Sequence, residues 1–152
     1  MLSRLSSLLR SLANTLQPFA ALLSRLVIGW AFFKTGQGKW AHIDKIVAFF
    51  ADSHIPMPGA NARFIATLEI VGGLCLILGL GTRVFAALLS CTMIVALMTA
   101  DLKSLESAFT GEIGFMDVAP IPFLLVLVWL VAFGPGWISV DRWLEHRKQA
   151  GK

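Results

Sequence analysis

Two charged residues sit where charge is expensive. Arg25 lies inside the apolar run PFAALLSRLVIGWAFF, and Glu69 lies near the middle of NARFIATLEIVGGLCLILGLG, which runs from Asn61 to Gly81. A bilayer core is crossed by about 20 mostly apolar residues, and an ionisable group within it faces a partner or a water-filled cavity. Such a charge costs on the order of 2.5–3.5 kcal/mol at the centre of a membrane helix, so two opposite charges on neighbouring helices relieve each other. At about 1.5 Å of rise per residue, Arg25 lies about 10 Å into its span and Glu69 about 18 Å from the same side, a difference that a guanidinium on its long stem bridges. The predicted arrangement is therefore a buried Arg25–Glu69 pair. It is either a structural ion pair that locks two spans together or a polar pocket for a proton, an anion or the head group of a quinone.

Other groups offer less. His42, His54 and His146 fall in segments too polar to span, and no two face each other at helical spacing. Cys75 and Cys91 lie in apolar runs without CxxC spacing, so neither a metal site nor a disulfide framework is expected. Ser90, Thr92 and Thr99 are expected to hydrogen-bond between helices. The acidic loop from Asp101 to Asp117 lacks the spacing of a calcium loop, and there is no P-loop, GxSxG or GxGxxG. Nothing in these residues points to an autonomous hydrolase or nucleotide enzyme.

The elements that must position the two charges follow from composition. The chain of 152 residues is 57% hydrophobic and 14% charged, with a mean hydropathy of +0.75, against about 45–50% and about 25% in soluble domains. The expected fold is all-α: one domain, residues 18–137, built as a four-helix transmembrane bundle with spans at 18–36, 61–81, 83–100 and 118–134. Residues 1–17 place Leu2, Leu5, Leu9, Leu12 and Leu16 on one helical face with Arg4, Ser7, Arg10 and Asn14 opposite, which suits a helix lying on the membrane. An acid-free start rich in Arg and Ser is also what a mitochondrial presequence looks like. A second interfacial helix is expected after Gly36, with Trp40, Ile43, Ile46, Val47 and Phe50 on one face, ended by Pro56 and Pro58. Residues 138–152 form a basic tail.

The net charge of +4 comes from Lys and Arg placed between apolar runs and at the termini, with no continuous basic stripe, so nucleic acid is not an expected partner. The larger share of these cations falls beside the termini and the turn at Arg83, which predicts both termini in the cytoplasm. Trp30, Trp40, Trp137 and Trp143 lie near span ends, where indole favours the interface.

Three motifs stand in order along these spans. They are RLVIGWAFFKTGQGKW, with Arg25, Gly29, Gly36 and Lys39; LEIVGGLCLILGLGTR, with Glu69, Gly72, Gly73, Gly79, Thr82 and Arg83; and GPGWISVD, with Gly134, Pro135, Gly136, Ser139 and Asp141. Over roughly residues 19–141 the chain resembles the DoxX family of small bacterial membrane proteins. The resemblance implies a four-helix bundle in the bacterial inner membrane and an association with redox biology. Members are linked to thiosulfate oxidation coupled to quinone reduction, and others to complexes that resist oxidative or thiol stress. It implies a membrane subunit of a redox system, a non-autonomous part of a quinone-linked oxidoreductase, with quinone as the cofactor and a soluble or membrane redox partner or a second copy beside it. Two other readings stand next to it: a noncatalytic scaffold that docks a soluble partner through the N-terminal helix or the tail, and a small transporter. Against the last, the chain is short and has neither an inverted repeat nor a broken helix.

Overall fold

The computed structural model describes the backbone of residues 2–150, and the side chains among them except those of residues 2–10, 12, 13, 148 and 150. The face expected over Leu2, Leu5, Leu9 and Leu12 and the charges Arg4 and Arg10 thus lie outside the described side chains. Among the described residues all regular structure is helical: α1 (Leu2–Ala41), α2 (Ile43–Asp52), α3 (Pro58–Leu78), α4 (Thr82–Met98), α5 (Leu102–Thr110), a 3-10 turn (Phe115–Asp117), α6 (Pro120–Phe133) and α7 (Val140–Ala150). The expected all-α class is the observed one.

Two boundaries differ from the sequence reading for physical reasons. First, α1 does not stop at Gly36 but continues to Ala41. Gly costs a helix interior about 1 kcal/mol relative to Ala, yet Gly36 is needed where it stands. A Cβ there would come within 2.8 Å of the Ala66 carbonyl oxygen and the Ile70 nitrogen on α3. The same holds one turn-pair earlier, where a Cβ on Gly29 would lie 2.7 Å from the Gly73 carbonyl oxygen. These glycines are the surface on which α1 and α3 approach backbone to backbone. Second, the acidic segment after Asp101 is not a plain loop: it holds α5 and the 3-10 turn.

The helix also runs through Pro18, which lacks the N–H that would bond to Asn14. Pro18 is buried, with its carbonyl oxygen 3.2 Å from where a Gly136 Cβ would stand.

α1 packs on α3 and α6, α4 packs on α3 and α6, and α2 lies against α3. Ile28, Phe32, Leu76, Ala86, Leu89, Leu127 and Leu130 form the core between them. The outward faces are apolar too: Leu23, Val27 and Trp30 on α1, Val71, Leu74 and Leu78 on α3, Val84 on α4, and Leu125 and Val128 on α6 are exposed. Apolar surface on that scale is removed from water by lipid. Among the described residues, two helices are long and apolar enough to cross a membrane, Asn14–Ala41 and Pro58–Leu78. α4 and α5 qualify only together, across a bend of 73°, and α6 is apolar but has 14 residues.

The hydroxyls do not cross-link helices as expected. Ser90 donates to Ala86 O (2.7 Å), Thr92 to Leu89 O (2.8 Å) and Thr99 to Val95 O (2.7 Å), each within its own helix. A short β-hydroxyl reaches the carbonyl one turn back more easily than a neighbouring helix.

The glycine contacts give a direct test. Gly29→Leu is expected to destabilise the protein by about 2–3 kcal/mol through overpacking. Gly38→Ala, at a position where a Cβ meets nothing within 4 Å, is expected to raise stability by about 0.5–1 kcal/mol. Thermal unfolding of both variants in detergent checks this; equal effects at the two positions would contradict the packing described.

Candidate functional site

Arg25 and Glu69 are each 1% exposed, as expected for deep charges, but they are not partners. Arg25 turns toward the C-terminal end of α3. Its Nε donates to Leu76 O (3.0 Å) and its Nη2 to Ile77 O (3.4 Å), while Nη1 donates to Ile138 O (2.8 Å) and to Pro135 O. The last carbonyls of a helix lack intrahelical partners and carry its negative dipole end, so a guanidinium there is both bonded and neutralised. α3 closes at Gly79 (φ 71°), where Gly79 N–H donates to Leu76 O and Leu80 N–H to Cys75 O. A Cβ on Gly79 would lie 2.8 Å from the Arg25 guanidinium carbon, so the turn needs glycine for space as well as for φ.

The same end is held from the other side. Asp141 accepts from the N–H groups of Gly81 (2.6 Å) and Thr82 (3.0 Å), capping α4 from 60 residues away, and its own N–H donates to Gly79 O (3.0 Å). Arg83 reaches Ala132 O at 3.5 Å and lies over Gly134. Arg25, the Gly79–Arg83 turn and the Pro135–Asp141 loop therefore form one clasp.

Glu69 sits near the middle of α3, away from the clasp, where its Oε1 is bound by Lys39 Nζ. The side chain of Lys39 is 28% exposed. The other carboxyl oxygen, Oε2, is buried without a hydrogen-bond partner, a state it shares among the described residues only with Thr82 Oγ1. Glu69 and Lys39 line a pocket of about 380 Å³. Its walls include Phe32 and Thr35 of α1, Phe49 and Phe50 of α2, Thr92 and Thr99 at α4 and its end, and Phe123 of α6, with Asp101 at its margin. The Phe32 and Phe123 rings meet edge to face at 5.4 Å. That volume is within the roughly 300–1,000 Å³ of small-molecule sites, and an apolar wall with a few polar groups is their usual character. Arg25 does not line it. A wider depression of about 1040 Å³ lies outside the clasp, between α1 and the tail, beside Asn14, Arg83 and Arg142.

The register explains the exchange of partners. Gly29 opposite Gly73 and Gly36 opposite Ala66 set α1 and α3 antiparallel, which puts Arg25 level with Ile77 and Glu69 about 12 Å further along. Helical side chains lean toward their own N-terminus. Arg25 therefore leans away from Glu69, whereas Lys39 and Glu69 lean toward each other.

The model of the DoxX family matches residues 20–102. This chain belongs to the DoxX family. It is 30% identical over 132 residues to the protein of Bacillus subtilis (strain 168) named "Putative oxidoreductase CatD", covering 86% of this chain and 90% of that one. It is 33% identical over 140 residues to the "Uncharacterized membrane protein Rv3486" of Mycobacterium tuberculosis, covering 88% of this chain and 86% of the relative. No solved structure matches it.

Most of the residues singled out in the three DoxX-like motifs now have a place. Gly29, Gly36 and Gly73 make the α1–α3 approach, and Gly72 lies against Leu89, 3.1 Å from a virtual Cβ. Thr82, Arg83, Gly134, Pro135, Gly136 and Asp141 belong to the clasp or its rim. Lys39 is the counter-ion of Glu69, a role hidden when the first helix is ended at Gly36. The signal was present in the seven-residue spacing shared by Gly29 and Gly36 on one helix and by Ala66 and Gly73 on the other. Nothing in the sequence placed Thr35, Phe49 or Phe123 beside Glu69.

A double-mutant cycle separates the observed pair from the expected one. Lys39→Met is expected to cost about 3 kcal/mol by stranding the carboxylate, and most of that is expected to vanish in a Glu69→Gln background. Arg25→Gln and Glu69→Gln are expected to be additive in unfolding free energy; strong coupling between them would restore the pairing that the geometry removes.

Proposed function

We propose that this DoxX protein is a membrane subunit of a redox system, and that the pocket at Glu69 and Lys39 holds the head group of a quinone. The observation that carries the reading is the half-satisfied carboxylate of Glu69 in an aromatic-lined pocket. Ionisable groups kept inside a membrane at such cost mark substrate or ion sites by default. The family resemblance to quinone-coupled proteins and the oxidoreductase in the name of the Bacillus relative support the same direction.

The membrane arrangement proposed with it is a four-span bundle in the bacterial inner membrane, made by α1, α3, α4 and α6. α6 reaches full depth with its flanking 3-10 turn and the Gly134–Trp137 segment, and the clasp, with Arg83, Arg142 and both termini, lies on the cytoplasmic side. The pocket then opens toward the outer face, beneath α2.

Duroquinone is expected to bind the purified protein in nanodiscs saturably at one site, and Ala96→Phe, which fills the pocket, to weaken it about tenfold or more by calorimetry. No saturable binding, or equal binding by that variant, would remove the reading. For orientation, Glu106→Cys is expected to be labelled by an impermeant maleimide in intact cells; labelling only after permeabilisation would invert the bundle.

A further inference from the structure

The geometry points to a hydrogen-bond donor as the group a ligand must present to this pocket, and hence to the hydroxyl-bearing, reduced form of a quinone as the form held more tightly; this rests on the reading of the pocket as a quinone site. The inference comes from counting what each polar group in the wall has left to offer. Glu69 Oε1 is taken by Lys39, and Oε2 is buried with no partner. A carboxylate is an acceptor only. The three threonines of the wall have each spent their hydroxyl proton on a backbone carbonyl: Thr35 on Phe32 O (3.0 Å), Thr92 on Leu89 O (2.8 Å) and Thr99 on Val95 O (2.7 Å). What their oxygens have left to offer a ligand is lone pairs. Asp101, at the margin, adds further acceptors.

The side-chain donor in this wall is Lys39 Nζ, which gives one of its three N–H groups to Glu69 Oε1. A quinone brings two carbonyl oxygens, both acceptors: one can accept from a remaining N–H of Lys39, but neither can donate to the uncompensated oxygen of Glu69. The corresponding hydroquinone brings two O–H groups on the same flat ring. One can donate to Oε2 and end the cost of an unpaired buried acceptor, a cost large enough to decide between ligands of equal shape. The aromatic walls at Phe32, Phe50 and Phe123 are indifferent to the redox state, so the discrimination falls on the polar edge.

The test uses the full chain in nanodiscs and three compounds that share one ring: durohydroquinone, duroquinone and durohydroquinone dimethyl ether, titrated anaerobically by calorimetry. Durohydroquinone is expected to bind about tenfold more tightly than either of the others. For a two-electron couple, that ratio raises the potential of the bound pair by about 30 mV. In Glu69→Gln, Lys39 retains the amide oxygen and the NH2 group takes the place of Oε2, so the preference is expected to shrink to nothing or to reverse toward duroquinone. Equal or tighter binding of duroquinone by the wild-type protein would overturn the inference while leaving the quinone site in place. Equal binding of durohydroquinone and its dimethyl ether would overturn it as well, because shape and not the donor would then be selected. Failure of all three to bind would remove both readings. The wild-type series decides the matter even if the variant does not fold.

Discussion

The contact on which the rest of this molecule depends is the backbone approach of α1 to α3 at Gly29 with Gly73 and at Gly36 with Ala66. In lipid there is no hydrophobic force to press two apolar helices together, so their association relies on close packing, and small residues permit it. Once the backbones touch at two levels a whole number of turns apart, the register cannot slide without driving a carbonyl into a Cβ. That register then assigns partners to both buried charges. It sends Arg25 past the end of α3 and brings Lys39 within reach of Glu69.

The two charges are handled in opposite ways, and the contrast divides the molecule. Arg25 has four carbonyls around it, drawn from α3 and from the loop before α7. Asp141 completes the same knot by capping α4. This end joins segments far apart in the chain and gives every nitrogen of the guanidinium a carbonyl partner. Near the middle of α3, Glu69 has one oxygen paired and one idle. A bundle built only for stability has no reason to keep such an atom beside a pocket. The clasp satisfies its buried charge, and the pocket keeps a buried carboxyl oxygen unpaired.

The DoxX motifs are legible on these terms. Their glycines mark helix approach at 29, 36 and 73 and a positive φ at 79 and 134, while their charged members cap helices or hold the acid. The order of the motifs was visible in the chain, and so was the expectation that Arg25 and Glu69 are buried. Their pairing with each other was a wrong inference from depth alone. Depth counted from span ends ignored the lean of helical side chains, and it used a first helix that stopped five residues early. Gly36, Gln37, Gly38 and Lys39 in succession look like a helix end because glycine and charge usually mark one. Only the presence of α3 alongside makes the glycine an asset.

What the sequence determined by itself is the solvent and the class: apolar runs of spanning length with cations at their ends can satisfy their backbone only as helices in lipid. It also determined that two ionisable groups would be deep, because their neighbours in the chain are apolar on every side. What tertiary structure alone decided is who meets whom. Arg25 bonds carbonyls of residues 76, 77, 135 and 138, and the Glu69 pocket gathers walls from α1, α2, α4 and α6. Those neighbours are distant in the chain, and their meeting depends on helix register and lean, which follow from packing between helices and from nothing that any single stretch of residues carries.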